Sequence, residues 1–432
     1  MYKVTKTFHK ELIAFIYHPL TQIFVFKILR AILLVWSILI WLNLFSVGFV
    51  RSECRINPLQ LKPAPLVLNG ANEIIYPDPR SYSAAINQSE RITISCPRNR
   101  VVVNGITESS TISAKCISDE LFEMNNEQMY FRSVKCLQEP QETVRYTQRK
   151  CAQGNQELEI GYDLGGDWFV TQIRVCFDNV NLTPVYSHYT LKGTIAYRDS
   201  TVANPFFRDT GFYTTSRNIA ELYRRDSIRN AINTLVGLSP SSEKYVERRG
   251  DLFVNRGHLA AKGDFVYAFE QLATFNYVNA APQWASFNGG NWNEVEISVR
   301  NYASRLGDDL EIYTGVYGTT SLPHETHGRN VGLYLDINSG HVMPIPELFW
   351  KVIYNPKTKQ GIVVIGLNNP YETSLSNSII CPDVSAKITW FSSNLSRNQR
   401  NVTLGYIYAC TVADFTKVVN SAPNLNVHSV LI

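Results

Sequence analysis

Three short runs collect side chains able to act together. Asn255-Arg256-Gly257-His258-Leu259-Ala260-Ala261 sets a guanidinium beside an imidazole, a group that titrates near neutral pH and can take or give a proton. Asn279-Ala280-Ala281-Pro282-Gln283 adds two amides, and Asn288-Gly289-Gly290-Asn291-Trp292-Asn293-Glu294-Val295-Glu296 ends on a carboxylate with Arg300 four residues further on. The Asn288 carbonyl oxygen could cap a helix, or coordinate a hard cation such as Mg²⁺ that prefers oxygen ligands. Taken singly, each has an ordinary use: a His beside Gly is commonly a turn or core residue. A Glu–Arg pair at i,i+4 is commonly a solvated pair worth about 0.2–0.5 kcal/mol. His324 and His327, in the run His-Glu-Thr-His, read as a polar loop sooner than as a metal pair.

The elements that must hold these runs follow from periodicity. Trp292, Val295, Val299, Tyr302 and Leu306 recur at steps of three and four, which predicts a helix over 291–306 with Asn288 just before it and Glu296 and Arg300 on its polar side. Strand-like runs lie at 309–317, 331–337, 347–354, 361–367 and 387–392, and a short helix at 412–419. Strands interspersed with few helices give an α+β domain over 155–432. Residues 51–154 read as a small all-β module of short alternating strands, from PLVLNG to TVRYTQRKC. The stretch 208–249 carries eight basic against five acidic side chains and is either an exposed helix face or a substrate contact.

The order RGHLA, NxxPQ, then NxGxW with a Glu eight residues after Asn288 resembles the DNA/RNA non-specific endonuclease family, the sugar-non-specific nucleases of ββα-metal type. The resemblance covers roughly 160–432 and, more narrowly, is similar to secreted arthropod digestive or salivary nucleases, double-stranded-RNA nucleases among them. It implies a ββα-metal domain with a central antiparallel sheet. It also implies hydrolysis of DNA and RNA to 5′-phosphate products, with Mg²⁺ as cofactor and Mn²⁺ as an alternative. By the same resemblance His258 is the general base, Asn288 the protein ligand of the metal, and Glu296 the carboxylate that holds a water of its shell. Arg256, Asn279, Gln283 and Arg300, and more loosely Arg208, are implied to contact the phosphate. Asn255 departs from the family's usual Asp and removes a negative charge near His258.

The chain has 432 residues and a formal charge of +4, with 18% charged and 12% aromatic residues, which excludes a disordered chain and one that coats nucleic acid by bulk charge. All of that excess lies in residues 1–50, where Lys3, Lys6, Lys10, Lys27 and Arg30 face only Glu11; the rest balances at 36 basic and 36 acidic side chains. Residues 31–50 hold no charge and follow Lys27 and Arg30, the pattern of a signal anchor or a long signal peptide that sends the rest across a membrane. Eight cysteines, none in a CxxC, all follow that segment; a disulfide framework divided three plus one between 54–176 and the C-terminus fits. Sequons at Asn87, Asn181, Asn394 and Asn401 agree with a lumenal or extracellular chain. Expected partners are DNA and RNA through phosphate contacts, the membrane through 31–50 if that segment is retained, and a second copy in a homodimer. Two other readings are a nuclease-like binding protein impaired by Asn255, and a mitochondrial intermembrane-space nuclease, which the cysteines and sequons disfavour.

Overall fold

A computed structural model describes residues 53–432. The apolar segment 31–50 lies outside the described residues; among the described ones, no helix is long and apolar enough to cross a membrane.

Along the chain come strands β1 (Thr143–Lys150), β2 (Gln156–Gly165), β3 (Trp168–Asp178) and β4 (Thr183–Leu191). Next come the arms of a short hairpin, β5 (Val254–His258) and β6 (Ala280–Trp284), and helix α1 (Asn293–Leu306). Then follow β7 (Leu310–Tyr317), β8 (Leu348–Asn355), β9 (Gln360–Leu367), helix α2 (Ser393–Asn398), β10 (Ile407–Cys410), helix α3 (Val412–Thr416) and β11 (Ser429–Val430). One nine-stranded sheet runs β1-β2-β3-β4-β7-β8-β9-β10, antiparallel throughout, with β11 parallel to β9.

Both faces of the sheet are covered, so its central strands are apolar on both sides. Phe349 and Ile353 of β8 and Ile362 and Val364 of β9 point into the main core, which includes Trp292, Val295, Val299 and Ala303 of α1 and the turn before it. Leu348, Trp350 and Val352 point the other way, against Val412 and Phe415 of α3. The apolar stripe expected on 291–306 is therefore the face α1 buries, although Leu306 ends 40% exposed at its tip.

The β-rich segment before the sheet has a core of its own, crossed by Cys54–Cys116 and Cys96–Cys136. Its strand Leu66–Leu68 is shared: Val67 faces that core while Leu66 and Leu68 face the main one, as alternation along a strand requires. The run 143–150, read as part of the module, is the edge strand β1 of the large sheet, paired with β2 from Thr143↔Gly161 to Lys150↔Gln156. Cys151–Cys176 and Cys381–Cys410 complete the expected three-plus-one pattern. The strand expected at 387–392 does not form. There Trp390 packs on Tyr302 of α1 and Ser392 caps α2, which calls for a loop. All four sequon asparagines are exposed.

Candidate active site

The hairpin presents the RGH run. β5 and β6 pair from Val254↔Trp284 to His258↔Ala280, so Arg256 and His258 share one side of β5 while Asn255 and Gly257 take the other. Gly257 is dictated by space, because a Cβ there would lie 2.2 Å from the Gln283 side-chain oxygen. Asn279 pins the chain after His258. Its amide oxygen accepts from the Ala260 N–H (2.9 Å) and the Ser187 hydroxyl (2.8 Å), and its nitrogen donates to the carbonyls of Ala260 (2.9 Å) and Thr274 (3.0 Å).

Asn279 and Gln283, expected to contact phosphate, are both fully buried. Asn279 spends its hydrogen-bonding capacity on the protein and belongs to the scaffold beneath the site, whereas Gln283 packs against Gly257 with both polar atoms of its amide buried and unpartnered.

His258 stands between two aromatic rings, with Phe207 at 4.8 Å and Phe275 at 4.7 Å between centroids, and its Nε2 is buried without a partner. Burial first, and then the Lys262 ammonium, push its imidazole down to about 4. It is therefore neutral at physiological pH, the state in which a ring nitrogen can accept a proton. Arg256 lies over the Tyr223 ring at 5.0 Å, and its Nε donates to the Tyr277 hydroxyl (3.2 Å). Arg208 brackets Phe275 and Tyr277 through its backbone (2.8 and 3.1 Å), while its guanidinium pairs with the buried Glu142. Much of the rest of the basic stretch is occupied locally: Arg229 with Asp226, Lys244 with Glu325, Arg248 with Glu243.

The second half of the site rides on α1. A helical turn begins at Ala285, and Asn288 lies inside it with helical backbone angles, so it does not cap α1 from outside. It opens the connection Asn288–Trp292, which is kinked at Gly290 (φ −91°, ψ −123°) before the chain enters α1. Segment 398–405 clamps this connection: the Asn291 N–H donates to the Leu404 carbonyl (3.0 Å), and its amide nitrogen donates to the carbonyls of Asn398 (2.8 Å) and Gly405 (2.7 Å). Gly290 permits the clamp, since a Cβ would come within 2.8 Å of the Leu404 oxygen.

Glu296 and Arg300 are not a solvated pair; their side chains are 15% and 11% exposed. Arg300 is bound more closely to Asp264 (2.8 Å) than to Glu296 (3.8 Å). Asp264 follows His258 by six residues, so this ion pair ties the connection after the hairpin to α1. The other Asp264 oxygen accepts from the Tyr189 hydroxyl and lies 4.0 Å from the fully buried Lys351 ammonium. Lys351 also donates to the Thr314 hydroxyl (2.6 Å). Burial, with Asp264 beside it, pushes the Glu296 carboxyl up to about 7 against the pull of Arg300 and Lys351.

Asp264, Lys351, Lys262 and Phe207 escaped the sequence reading. Lys351 alone left a signal: a single charge inside ELFWKVIY, a run otherwise apolar enough for a buried strand.

The donors available to a metal here are amide and carboxylate oxygens, Asn288 on the clamped turn and Glu296 two turns along. That set suits a hard cation that keeps most of its waters, and it contains no thiolate for a softer one. Among the described residues no group of three or more His, Cys, Asp or Glu could enclose a metal. His324 and His327 are stacked at 4.0 Å, and each ring's Nδ1 accepts a backbone N–H of their own loop.

The family model described as DNA/RNA non-specific endonuclease matches residues 153–415. A salivary endonuclease of Lutzomyia longipalpis is 32% identical over 271 residues, 63% of this chain and 63% of that protein, so the match spans less than two thirds of the relative. Salivary protein Tsal2A of Glossina morsitans morsitans is 23% identical over 398 residues, 88% of this chain and 96% of its own length. Among solved structures, a chain of the EndoG/EndoGI complex aligns with a TM-score of 0.33 at 19% identity, over 54% of this chain and 82% of that one. With the family model matching more than half of its length, seven of the nine sheet strands, the hairpin and α1 included, the chain belongs to the DNA/RNA non-specific endonuclease family.

Proposed function

We propose that this protein is a secreted endonuclease that uses Mg²⁺ to hydrolyse phosphodiester bonds of DNA and RNA, leaving 5′-phosphate ends. The observation that carries the reading is a neutral, aromatic-walled His258 beside Arg256 on one side of the hairpin, with the connection that follows tied through Asp264 to Arg300 on the helix that bears Glu296. His258 takes a proton from the attacking water as the new P–O bond forms and the bond to the 3′ oxygen breaks; that oxygen regains a proton from solvent. Arg256 and Arg300 offset charge growing on the phosphate, contacts that read the backbone and not base edges and so accept either nucleic acid. Asn288, and Glu296 through water, would hold the cation, which supplies positive charge at the phosphate and the leaving oxygen when bound; Mn²⁺ would suit the same oxygens. Salivary relatives and four disulfides support secretion.

The reading of an impaired, nucleic-acid-binding protein rests on Asn255. That side chain leaves β5 on the side opposite His258, and its oxygen accepts the Arg256 N–H (2.8 Å), so the missing charge lies off the reacting face. Purified protein should cut plasmid DNA and double-stranded RNA and stop on addition of EDTA. Cutting indifferent to chelation would remove the metal from the account. Activity appearing only in Asn255→Asp would favour the impaired reading.

A further inference from the structure

The segment between Tyr197 and Asn218 has no regular secondary structure, yet it is tied down along its length. The Asp199 N–H donates to the Val266 carbonyl (2.9 Å) and the Asp199 carbonyl accepts from Gln271 (2.8 Å). Lys262 reaches the Val202 carbonyl and the Asn204 side chain (2.7 Å), and Arg208 is fixed to Phe275, Tyr277 and Glu142. Two phenylalanines sit between the last two anchors. Phe207 turns inward, 4.8 Å from His258 and 5.1 Å from Phe275. Phe206 turns outward and is 95% exposed, more than any other large apolar side chain described. A ring held in water by an anchored segment contributes nothing to the core and forgoes about 1.5–3 kcal/mol of burial. It is one residue from the ring that walls the proposed base, on a rim where Arg256 and Lys262 supply positive charge.

We propose that Phe206 is a stacking platform for an unstacked nucleobase of the strand being cut, flanking the phosphate at His258. The inference rests on the nuclease reading above and adds to it a subsite with a preference. Every base has a π-face, so stacking there tolerates any sequence. A base must leave its duplex neighbours to reach the ring, so single-stranded or frayed nucleic acid profits and an intact duplex does not.

Steady-state cleavage of a single-stranded oligonucleotide and its matched duplex by wild type, Phe206→Ala and Phe206→Trp tests this. Phe206→Ala should raise KM on the single strand about 5- to 100-fold, in the range of one lost base–aromatic stack, with a smaller change in kcat. Phe206→Trp should restore it, and the duplex should respond less. One abasic position stepped along the single strand should raise the wild-type KM at one register and leave Phe206→Ala indifferent there. Equal KM values for wild type and Phe206→Ala overturn the proposal. So does a dimer of wild type that Phe206→Ala dissolves without change in KM, since the ring would then serve a second copy of the chain. Should wild type cut nothing, the nuclease reading fails, and stacking is read alone. A 2-aminopurine oligonucleotide in EDTA should be quenched by wild type and not by Phe206→Ala, and equal quenching overturns the proposal.

Discussion

At the scale of single residues, the site depends on charges withdrawn from water. Asp264 is 2% exposed and serves Arg300, Tyr189 and Lys351 at once, so Asp264→Ala takes the nearest anion from two buried cations and leaves Arg300 only the more distant Glu296. Removing one partner of such a set costs about 3–5 kcal/mol, and denaturant melts should show a loss of that order together with a fall in kcat as Arg300 is released. Unchanged stability would mean the cluster is solvated. His258 and Glu296 pull the pH dependence of stability in opposite directions. The folded imidazole titrates near 4 and an unfolded one near 6.5, so in that window the unfolded chain binds the extra proton and stability falls as pH is lowered. The Glu296 carboxyl, raised to about 7, holds a proton the unfolded chain has released and so favours the fold as pH falls from about 7 to 4.5. In metal-free melts His258→Gln should remove the first slope and Glu296→Gln the second. His258, Glu296 and Arg300 were visible in the sequence because motif and spacing marked them. Asp264 was not, because Lys-Gly-Asp reads as a turn and its partners on β4 and β8 are distant in the chain.

At the scale of elements, the kinked connection before α1 and the hairpin of β5 and β6 do the positioning. Helical spacing announced α1, since its buried face repeats every three to four residues. The helical backbone of Asn288 ahead of the kink was not announced, because Asn-Gly-Gly-Asn reads as a loop and a cap. What holds the kinked path at Gly290 and Asn291 is the clamp from 398–405, a segment more than a hundred residues away. Gly290→Val should push against the Leu404 carbonyl, cost about 1–3 kcal/mol, and raise the Mg²⁺ concentration needed for half-maximal rate. Thermal melts and a metal titration would check it, and wild-type values in both would separate the turn from the metal. The strand misread at 387–392 has a similar origin: Trp and Phe there serve the flank of α1 and no sheet edge.

At the scale of the whole molecule, a neutral body of residues carries a local cationic site, and four disulfides brace it. Cys381–Cys410 closes a loop with a sequence separation of 29 across the face covered by α3. Replacing both cysteines by Ser should cost about 3 kcal/mol, read from denaturant midpoints. The β-rich texture of 51–154 was legible in the sequence, while residues 53–432 pack as one compact unit. The shared strand Leu66–Leu68 was not legible, since only the folded chain assigns its two faces to two cores. The central claim is that His258 takes the proton in a metal-assisted cut. The most direct test is the single-turnover cleavage rate of wild type and His258→Ala on one double-stranded substrate at saturating Mg²⁺, with folding verified by circular dichroism. A loss of about 10²- to 10⁴-fold in a folded variant is the predicted result; a rate within a few-fold of wild type would contradict it.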